Sequence, residues 1–178
     1  IAEIKKNRLI QRVHPCMVPT DSFISNINGV LNAVIIDGIP IGRFTIQGEG
    51  AGPGPTTSSL VSDICSILRG NVKLPFSIPS KKRKKIKSID ISGETFSSYI
   101  RIDVNDITGV LSSVTKILSK NRVSVKRLIQ NPFKNKKFAS IIIITHKSKN
   151  SNLVNSIKEL SNKKFVINKP KLFRIEEI

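Results

Sequence analysis

The sequence predicts an α+β fold made of two parts that are joined by a basic linker. Residues 71–97 are rich in Pro, Ser and Lys and show no sustained periodicity, as expected of a connecting segment. After this segment, strand-like and helical patterns alternate in the order βαββαβ, the ferredoxin-like arrangement of a four-stranded antiparallel sheet with two helices on one face. Before it, two strands lead into a glycine-rich loop and a helix. We therefore predict domain boundaries at residues 1–70, 71–97 and 98–178.

The composition limits the size of each core and the type of protein. The chain has 178 residues, of which 39% are hydrophobic, enough for one modest core or two small ones. Its longest apolar runs are far shorter than the ~20 residues of a membrane helix, so we expect a cytoplasmic protein that does not cross a membrane. The chain starts at Ile1 without the pattern of a signal peptide, and we expect this start to be the cut edge of a longer protein.

A β-hairpin is predicted in the first half. Two apolar runs, residues 30–36 and 39–47, flank Asp37 and Gly38. Asp-Gly between apolar runs is a strong hairpin signal, because glycine tolerates the positive φ that tight hairpin turns require. We predict the turn at these two residues.

The stretch GEGAGPGPTT, residues 48–57, follows the second strand and precedes a helix. Thr56 or Thr57 is predicted to cap this helix, which runs to about Arg69 and ends at Gly70. Glycines allow close approach to the backbone, and a helix start offers unpaired N–H groups, so the loop could hold a phosphate, a pyrophosphate or a nicotinamide. The stretch matches neither G-x-G-x-x-G nor the P-loop, and a plain tight turn explains it equally well.

The few cysteines and histidines form no metal or disulfide pattern, and no metal site is predicted. Cys16 and Cys65 have no C-x-x-C partner, and both are predicted to be small buried hydrophobic residues. His14 and His146 lie in different segments and are expected to be structural residues rather than ligands. Cys65 shares its predicted buried helix face with Leu60, Val61, Ile64 and Leu68.

Positive charge is spread over the whole chain. The formal net charge is +18, which raises the question of nucleic-acid binding. Only residues 81–87, KKRKKIK, form a dense basic block, and the chain has one Tyr and no Trp for base stacking. A solvated, flexible linker is favoured over a nucleic-acid site, because runs of like charge are usually disordered. We expect no specific nucleic-acid partner.

The second half contains each element of the βαββαβ order. Strands are predicted in SYIRIDVND, VSVKRLIQN, KKFASIIIITHK and FVINKPKLFRIEEI, and helices in TGVLSSVTKILSKNR and NSNLVNSIKELSNKK. A core of this size buries little surface on its own, so pairing with another copy or another domain is expected. The apolar face of the first helix is predicted at Val110, Leu111, Val114, Ile117 and Leu118.

The loop VNDITGVL, residues 104–111, joins the first strand of the second half to its first helix. Gly109 allows a sharp turn onto the helix. Asn105 and Asp106 can hydrogen-bond either to the helix N-terminus or to the amino group of a ligand. A capped helix start and a small-molecule effector loop both fit these residues.

The same loop resembles that of ACT domains, the small regulatory modules found on amino-acid biosynthetic enzymes. Their usual D-x-P-G-V-L reads D-I-T-G-V-L here at residues 106–111, with Thr in place of Pro. The resemblance covers residues 99–178 and implies that an amino acid, with L-threonine the expected effector, binds at an interface between two such domains. The effector-binding residues that it implies are Asn105, Asp106, Thr108, Gly109, Val110 and Leu111.

Three motifs of the first half, QRVHPCMVP, INGVLNAVIIDG and GEGAGPGPTTSSLVSDI, occur in this order. Together they resemble the C-terminal portion of the catalytic chain of bacterial homoserine dehydrogenases, in which a linker and an ACT domain follow. The resemblance implies an NAD(P)-dependent oxidoreductase that interconverts L-homoserine and L-aspartate 4-semialdehyde on the route to threonine, methionine and isoleucine. It also implies a homodimer or homotetramer. The alternative is a stand-alone ACT module that senses an amino acid or dimerises without catalysis.

The resemblance implies a cofactor edge in this chain but no catalytic residue. In the family, the nucleotide-binding domain and the residues that orient the substrate and move the proton lie upstream of the position of Ile1. The cofactor, NADP or NAD, is then bound mainly by that upstream domain. The residues expected to border it here are Gly48, Gly50, Ala51, Gly52 and Thr56.

Overall fold

The computed structural model describes residues 1–71, 77–133 and 137–177. The described chain forms two compact units, one of residues 1–19 together with 86–177, and the other of residues 20–85. This division differs from the predicted boundaries, because strands near the N-terminus hydrogen-bond to a strand of the second half and to residues 87 and 88 of the predicted linker.

The secondary structure comprises both regular strands and helices, numbered here along the chain. The strands are β1 (Ala2–Lys5), β2 (Arg8–Gln11), β3 (Cys16–Met17), β4 (Leu31–Gly38), β5 (Gly42–Glu49), β6 (Lys87–Ser88), β7 (Thr95–Asn105), β8 (Val125–Pro132), β9 (Phe138–Thr145), β10 (Ser148–Lys149) and β11 (Lys171–Ile175). The helices are α1 (Pro53–Leu68), α2 (Val110–Lys120) and α3 (Asn150–Ser161).

The main sheet of the larger unit has the strand order β3-β11-β7-β9-β8. From β7 onward, the elements follow one another as β7-α2-β8-β9-α3-β11, with the two-residue strand β10 added before α3, which confirms the predicted α+β, ferredoxin-like order. The pairs β7–β11, β7–β9 and β8–β9 are antiparallel. The added edge strand β3 is parallel to β11, with Cys16 opposite Arg174 and Met17 opposite Ile175.

The core of this unit lies between the sheet and the helices α2 and α3. Every second residue of β7 is buried, so one face of the strand supplies the core while the other stays partly exposed. Helix α2 buries four of the five apolar residues predicted for its face, and the fifth, Leu111, is 38% exposed. The buried cluster consists of Ile100, Ile102, Val104, Val110, Val114, Ile117, Leu118, Val123, Ala139, Ile141, Ile143, Leu153 and Leu160.

The N-terminal segment folds back as the hairpin β1–β2. Lys6 and Asn7 both have positive φ, 47° and 63°, as a tight two-residue hairpin turn requires. Strand β2 then pairs in parallel with β6, with Arg8 opposite Lys87. Lys87, the last residue of the basic block, is therefore paired in a sheet, and the expectation of a solvated, flexible segment does not hold at this end. Residues 72–76 of the predicted linker lie outside the described residues.

The second unit contains the hairpin β4–β5, and its turn is not where the sequence placed it. Gly38 is paired with Gly42, so that residues 39–41 form the turn and Asp37 lies in a strand opposite Arg43. Gly42 supplies the positive φ, at 72°. Pro40 and Gly42 are turn-forming residues, so a second turn signal follows Asp37-Gly38 directly, and the chain turns at this second signal.

Helix α1 ends as predicted. The N–H of Gly70, whose φ is +71°, donates to the carbonyl of Ile67, and the N–H of Asn71 donates to that of Ser66. These two bonds form a Schellman motif, which satisfies carbonyl groups that a helix end leaves unpaired.

The apolar face of α1 is not buried within the second unit. Of the residues that the structure describes between 20 and 85, only Ser22 is buried. One helix and two strands offer too little surface to close a core, so the prediction that Cys65 and its neighbours are core residues is wrong for this chain. Cys65 is half-buried and Cys16 is exposed. The other apolar side chains predicted for this helix face are exposed: Leu60 (58%), Val61 (52%), Ile64 (54%) and Leu68 (81%).

None of the described helices combines the length and the apolar character that crossing a membrane requires.

Candidate functional site

The predicted cofactor edge forms an exposed corner between β5 and α1. Gly48 belongs to β5 opposite Asn32, and the N–H of Gly50 donates to the carbonyl of Val30 over 3.2 Å. A Cβ at Gly50 would meet the Asn32 side chain, which would have to move aside. Gly52, with φ of 122°, precedes α1. The backbone of this corner is therefore open to close approach by another group.

The first turn of α1 has no side-chain cap. Its first residue is Pro53, a position where the missing N–H costs nothing. Thr56 lies inside the first turn rather than before it, and its hydroxyl donates to the carbonyl of Gly52 over 2.7 Å. The prediction of a threonine cap is thus wrong, since Thr56 and Thr57 both follow the helix start. Residues 53 and 55 are prolines, and the N–H of Thr56 donates to the carbonyl of Gly52, so Gly54 carries the one N–H of the first turn that lacks an intrahelical acceptor. The positive end of the helix dipole still favours an anion here.

The predicted effector loop lines a cavity of about 390 Å³ in the larger unit. Gly109 stands immediately before α2 with φ of 87°, a left-handed conformation that favours glycine. No side chain caps the start of α2, so the first backbone N–H groups of the helix lack an intrahelical partner at the wall of the cavity. The lining includes all six predicted effector residues: Asn105, Asp106, Thr108, Gly109, Val110 and Leu111.

The Asp106 side chain points across the sheet rather than to the helix. Its Oδ1 accepts a hydrogen bond from Nε2 of Gln130 over 3.1 Å. Gln130 lies on β8 opposite Ile141 of β9, and both residues belong to the cavity lining. Sequence reasoning missed Gln130, because only the register of β8 against β9 brings it to the end of β7.

Backbone contacts hold this loop in place. The N–H of Asn105 donates to the carbonyl of Phe165 and that of Asp106 donates to the carbonyl of Lys137, both over 2.9 Å. These bonds tie the loop to segments on either side of it, so its polar side chains are presented from a fixed backbone. The effector loop and the glycine corner belong to different units. Within the described residues, no group of three or more His, Cys, Asp or Glu side chains is placed to hold a metal ion.

Two family models match this chain. Residues 1–65 match the model of homoserine dehydrogenase, and residues 98–163 match the model of the ACT domain. The chain is homologous to a part of homoserine dehydrogenases. The matches to both models confirm the resemblance that the sequence motifs indicated.

Curated relatives and solved structures agree with the family models. The homoserine dehydrogenase of Helicobacter pylori is 32% identical over 171 residues, which are 93% of this chain and 39% of the relative. That of Bacillus subtilis is 28% identical over 182 residues, covering 99% of this chain and 41% of the relative. The crystal structure of a homoserine dehydrogenase from Thiobacillus denitrificans matches with a TM-score of 0.81 and 26% identity, over 99% of this chain and 41% of that chain. This chain spans about two fifths of the length of these relatives.

Proposed function

We propose that this chain is the C-terminal part of a cytoplasmic homoserine dehydrogenase, which interconverts L-homoserine and L-aspartate 4-semialdehyde with NADP or NAD. Its reaction belongs to threonine, methionine and isoleucine biosynthesis, and the ACT part adjusts it to the level of an amino acid, L-threonine. The observation that carries the proposal is the succession of the two matched segments, residues 1–65 and 98–163, along one chain.

The glycine corner fits a role at the edge of the nicotinamide cofactor. Its surface is backbone, and it ends at an uncapped helix start, where the N–H of Gly54 and the positive end of the helix dipole favour an anion. The cofactor would accept or supply the hydride. This chain would contribute one side of the cofactor site. Its backbone at Gly48, Gly50, Ala51 and Gly52 carries little or no side chain, so the cofactor can approach it closely. Thr56 would stabilise the first turn of the helix through its hydrogen bond to Gly52.

The catalytic part of the proposal is tested on the complete gene product that contains this chain. L-homoserine should cause reduction of NADP or NAD, followed by the absorbance of the reduced nicotinamide. Gly50→Ala should raise the KM for the cofactor more than the KM for homoserine, because the new methyl group displaces the Asn32 side chain at the corner.

The matched control is Gly54→Ala in the first turn of α1, where an added Cβ has open space. It should leave both KM values unchanged. A protein that binds NADP but does not oxidise homoserine would contradict the substrate, and equal effects of the two alanines would contradict the cofactor edge.

The effector part of the proposal rests on the cavity at residues 104–111. An amino acid carries an ammonium group and a carboxylate. The carboxylate of Asp106 can receive the ammonium group, while the uncapped start of α2 can receive the ligand's carboxylate. Gln130 would then orient Asp106 from the neighbouring strand.

Calorimetry on this chain with L-threonine and a panel of other amino acids tests the effector. Asp106→Asn should weaken threonine binding at least tenfold, because a hydrogen bond between charged groups contributes roughly 1.5–3 kcal/mol. The control Asp63→Asn makes the same change at an exposed position of the other unit. If none of the amino acids gives a heat of binding, the sensing role is refuted, and the ACT part is better explained as a dimerisation module.

A homodimer or homotetramer is also part of the proposal. One face of the hairpin β4–β5 exposes cross-strand apolar pairs, Val34 with Ile46 and Ile36 with Phe44, each 44–56% exposed. Exposed apolar patches of this kind mark association surfaces. Ile46→Lys should therefore lower the molar mass in sedimentation equilibrium, whereas Val154→Lys, on the exposed side of α3, should not. An unchanged mass for Ile46→Lys would remove this face from the interface.

A further inference from the structure

A buried cluster of charged side chains ties the N-terminal segment to the end of β11 in the larger unit. Arg12 makes two parallel hydrogen bonds to Glu176, from Nε over 3.2 Å and from Nη2 over 2.9 Å. Its Nη1 donates to Glu3 over 3.1 Å. The side chains of Arg12 and Glu176 are only 7% and 10% exposed. The bidentate pair thus lies at the seam where β3 joins β11.

A histidine and a second arginine complete this cluster. Nε2 of His14 lies 3.4 Å from Oε1 of Glu176, and the His14 side chain is 16% exposed. Neither nitrogen of its ring makes a hydrogen bond in the described part of the chain. The guanidinium carbons of Arg174 and Arg12 lie 4.8 and 5.2 Å from the centroid of the Phe96 ring. Both arginines lie close enough to His14 for their charges to lower its pKa.

The cluster has no net charge only while His14 is neutral. Arg12 and Arg174 carry two positive charges, and Glu3 and Glu176 carry two negative charges. A proton on His14 adds a third positive charge in a region shielded from water, where charges interact strongly. The other charged groups that border the cluster are paired among themselves or with it: Lys5 with Glu3 and Glu94, and Lys147 with Glu177.

The backbone at this seam is held by few hydrogen bonds. Strand β3 has two residues, and the N–H of Glu176 donates to the carbonyl of Met17 over 2.9 Å. A short edge strand with so few ladder bonds depends on the side chains beside it. A repulsive charge in the adjacent cluster can therefore shift the equilibrium between an attached and a released strand.

We propose that His14 is a pH-sensitive latch: when neutral it lets β3 stay attached to β11, and when protonated it weakens this attachment. The sequence gives no hint of such a latch, because His14 and Glu176 are far apart in the chain. The latch follows from the geometry of the larger unit and does not depend on the proposed function. Through this latch, acidification would change the contact between β3, which lies in the segment that matches homoserine dehydrogenase, and β11, which follows the segment that matches the ACT domain.

The direction of the pH effect follows from linkage. Burial and the charge of Arg174 lower the pKa of His14, Glu176 raises it, and Arg12 lowers it further, with a net decrease. Above about pH 6.5, the ordinary histidine pKa, both the attached and the released states hold His14 neutral. As the pH falls below this value, the released state takes up the proton first, and attachment is lost until the pH reaches the lowered pKa of the attached state. The loss is at most about tenfold in the equilibrium constant per pH unit.

Acidic groups do not obscure this window. A hydrogen bond from Lys5 lowers the pKa of Glu3, so its carboxylate stays charged from pH 7.5 to 5.5. The chain has two histidines, and the other, His146, is exposed. His146→Gln is therefore a matched control for His14→Gln.

Hydrogen exchange of the whole chain, corrected for the intrinsic effect of pH, tests the latch at pH 7.5 and 5.5. The wild-type protein and His146→Gln should lose protection in residues 8–17 and 174–176 at pH 5.5, by up to about tenfold. The variant His14→Gln should show the same protection at both values. Equal protection of the wild type at both pH values, or the same loss in His14→Gln, would overturn the proposal.

A second measurement leaves the cluster intact. In His146→Gln, the only imidazole resonance belongs to His14, and proton NMR should show it titrating below about pH 6.5, the value of an ordinary histidine. Titration at or above that value would overturn the proposal even if His14→Gln failed to fold.

Discussion

Gly109→Ala measures how much the shape of the effector loop depends on glycine. The residue has φ of 87° and ψ of −9°, and nothing lies within 4 Å of a Cβ built at this position. The substitution therefore adds backbone strain without a collision. A left-handed conformation costs an L-residue about 1–2 kcal/mol, and alanine returns about 0.4–1 kcal/mol by restricting the unfolded chain. We expect a net loss of about 1 kcal/mol in the free energy of unfolding.

Urea unfolding of this chain checks the expected loss. The sequence has one tyrosine, Tyr99, and no tryptophan. Tyr99 lies on β7, and its ring centroid is 6.3 Å from that of Phe173, so its fluorescence reports on the larger unit. With a slope of about 2 kcal/mol/M, the midpoint should fall by about 0.5 M.

The control for strain is Gly93→Ala. Gly93 belongs to the same unit, has no positive φ and also has open space around a new Cβ. Its midpoint should stay the same or rise slightly. If both alanines shift the midpoint equally, the reasoning from the left-handed conformation is refuted.

Three further predictions concern packing, charge and thiol exposure. Leu118→Ala should lower the free energy of unfolding by about 2–5 kcal/mol, because Leu118 is fully buried. The control Val154→Ala should change it little, because Val154 is 48% exposed. Equal losses for the two variants would contradict the assignment of the core. Glu176→Gln should cost roughly 3 kcal/mol in the same unfolding measurement, because the buried Arg12 loses its bidentate carboxylate partner and keeps only the more exposed Glu3; an unchanged midpoint would show that the pair is solvated. Cys16 is exposed and Cys65 half-buried, so Ellman's reagent should label Cys16 first, and Cys16→Ser should remove the fast phase; a fast phase that survives would contradict the exposure of Cys16.

Local patterns were sufficient to predict the second half and parts of the first. The alternation in β7 and the helical spacing in α2 follow from how side chains must face one core, and both appear in the sequence as periodicities. The end of α1 was also predictable, because Gly70 is a residue for which the left-handed conformation carries little penalty. The six residues of the effector loop were predicted together, since they are adjacent in sequence, and the structure brings them to one cavity.

Features that join distant residues were not predictable. Two neighbouring turn signals, Asp37-Gly38 and Pro40 with Gly42, could each close the β4–β5 hairpin, and only the register of the two strands shows which one does. The bond between Gln130 and Asp106 depends on the register of β8 against β9. Neither relation leaves a trace in a short window of sequence.

By itself, the sequence determined the α+β class, the βαββαβ order and the homology to two family models, because periodicity and local motifs carry that information. Only the tertiary structure decided that residues 1–19 pack with the second half, with β3 on the edge of the sheet and His14 beside Arg174 and Glu176. The physical reason is that pairing between remote strands is set by the competition among all possible edges and registers, and the charges gathered at the chosen seam follow from that outcome.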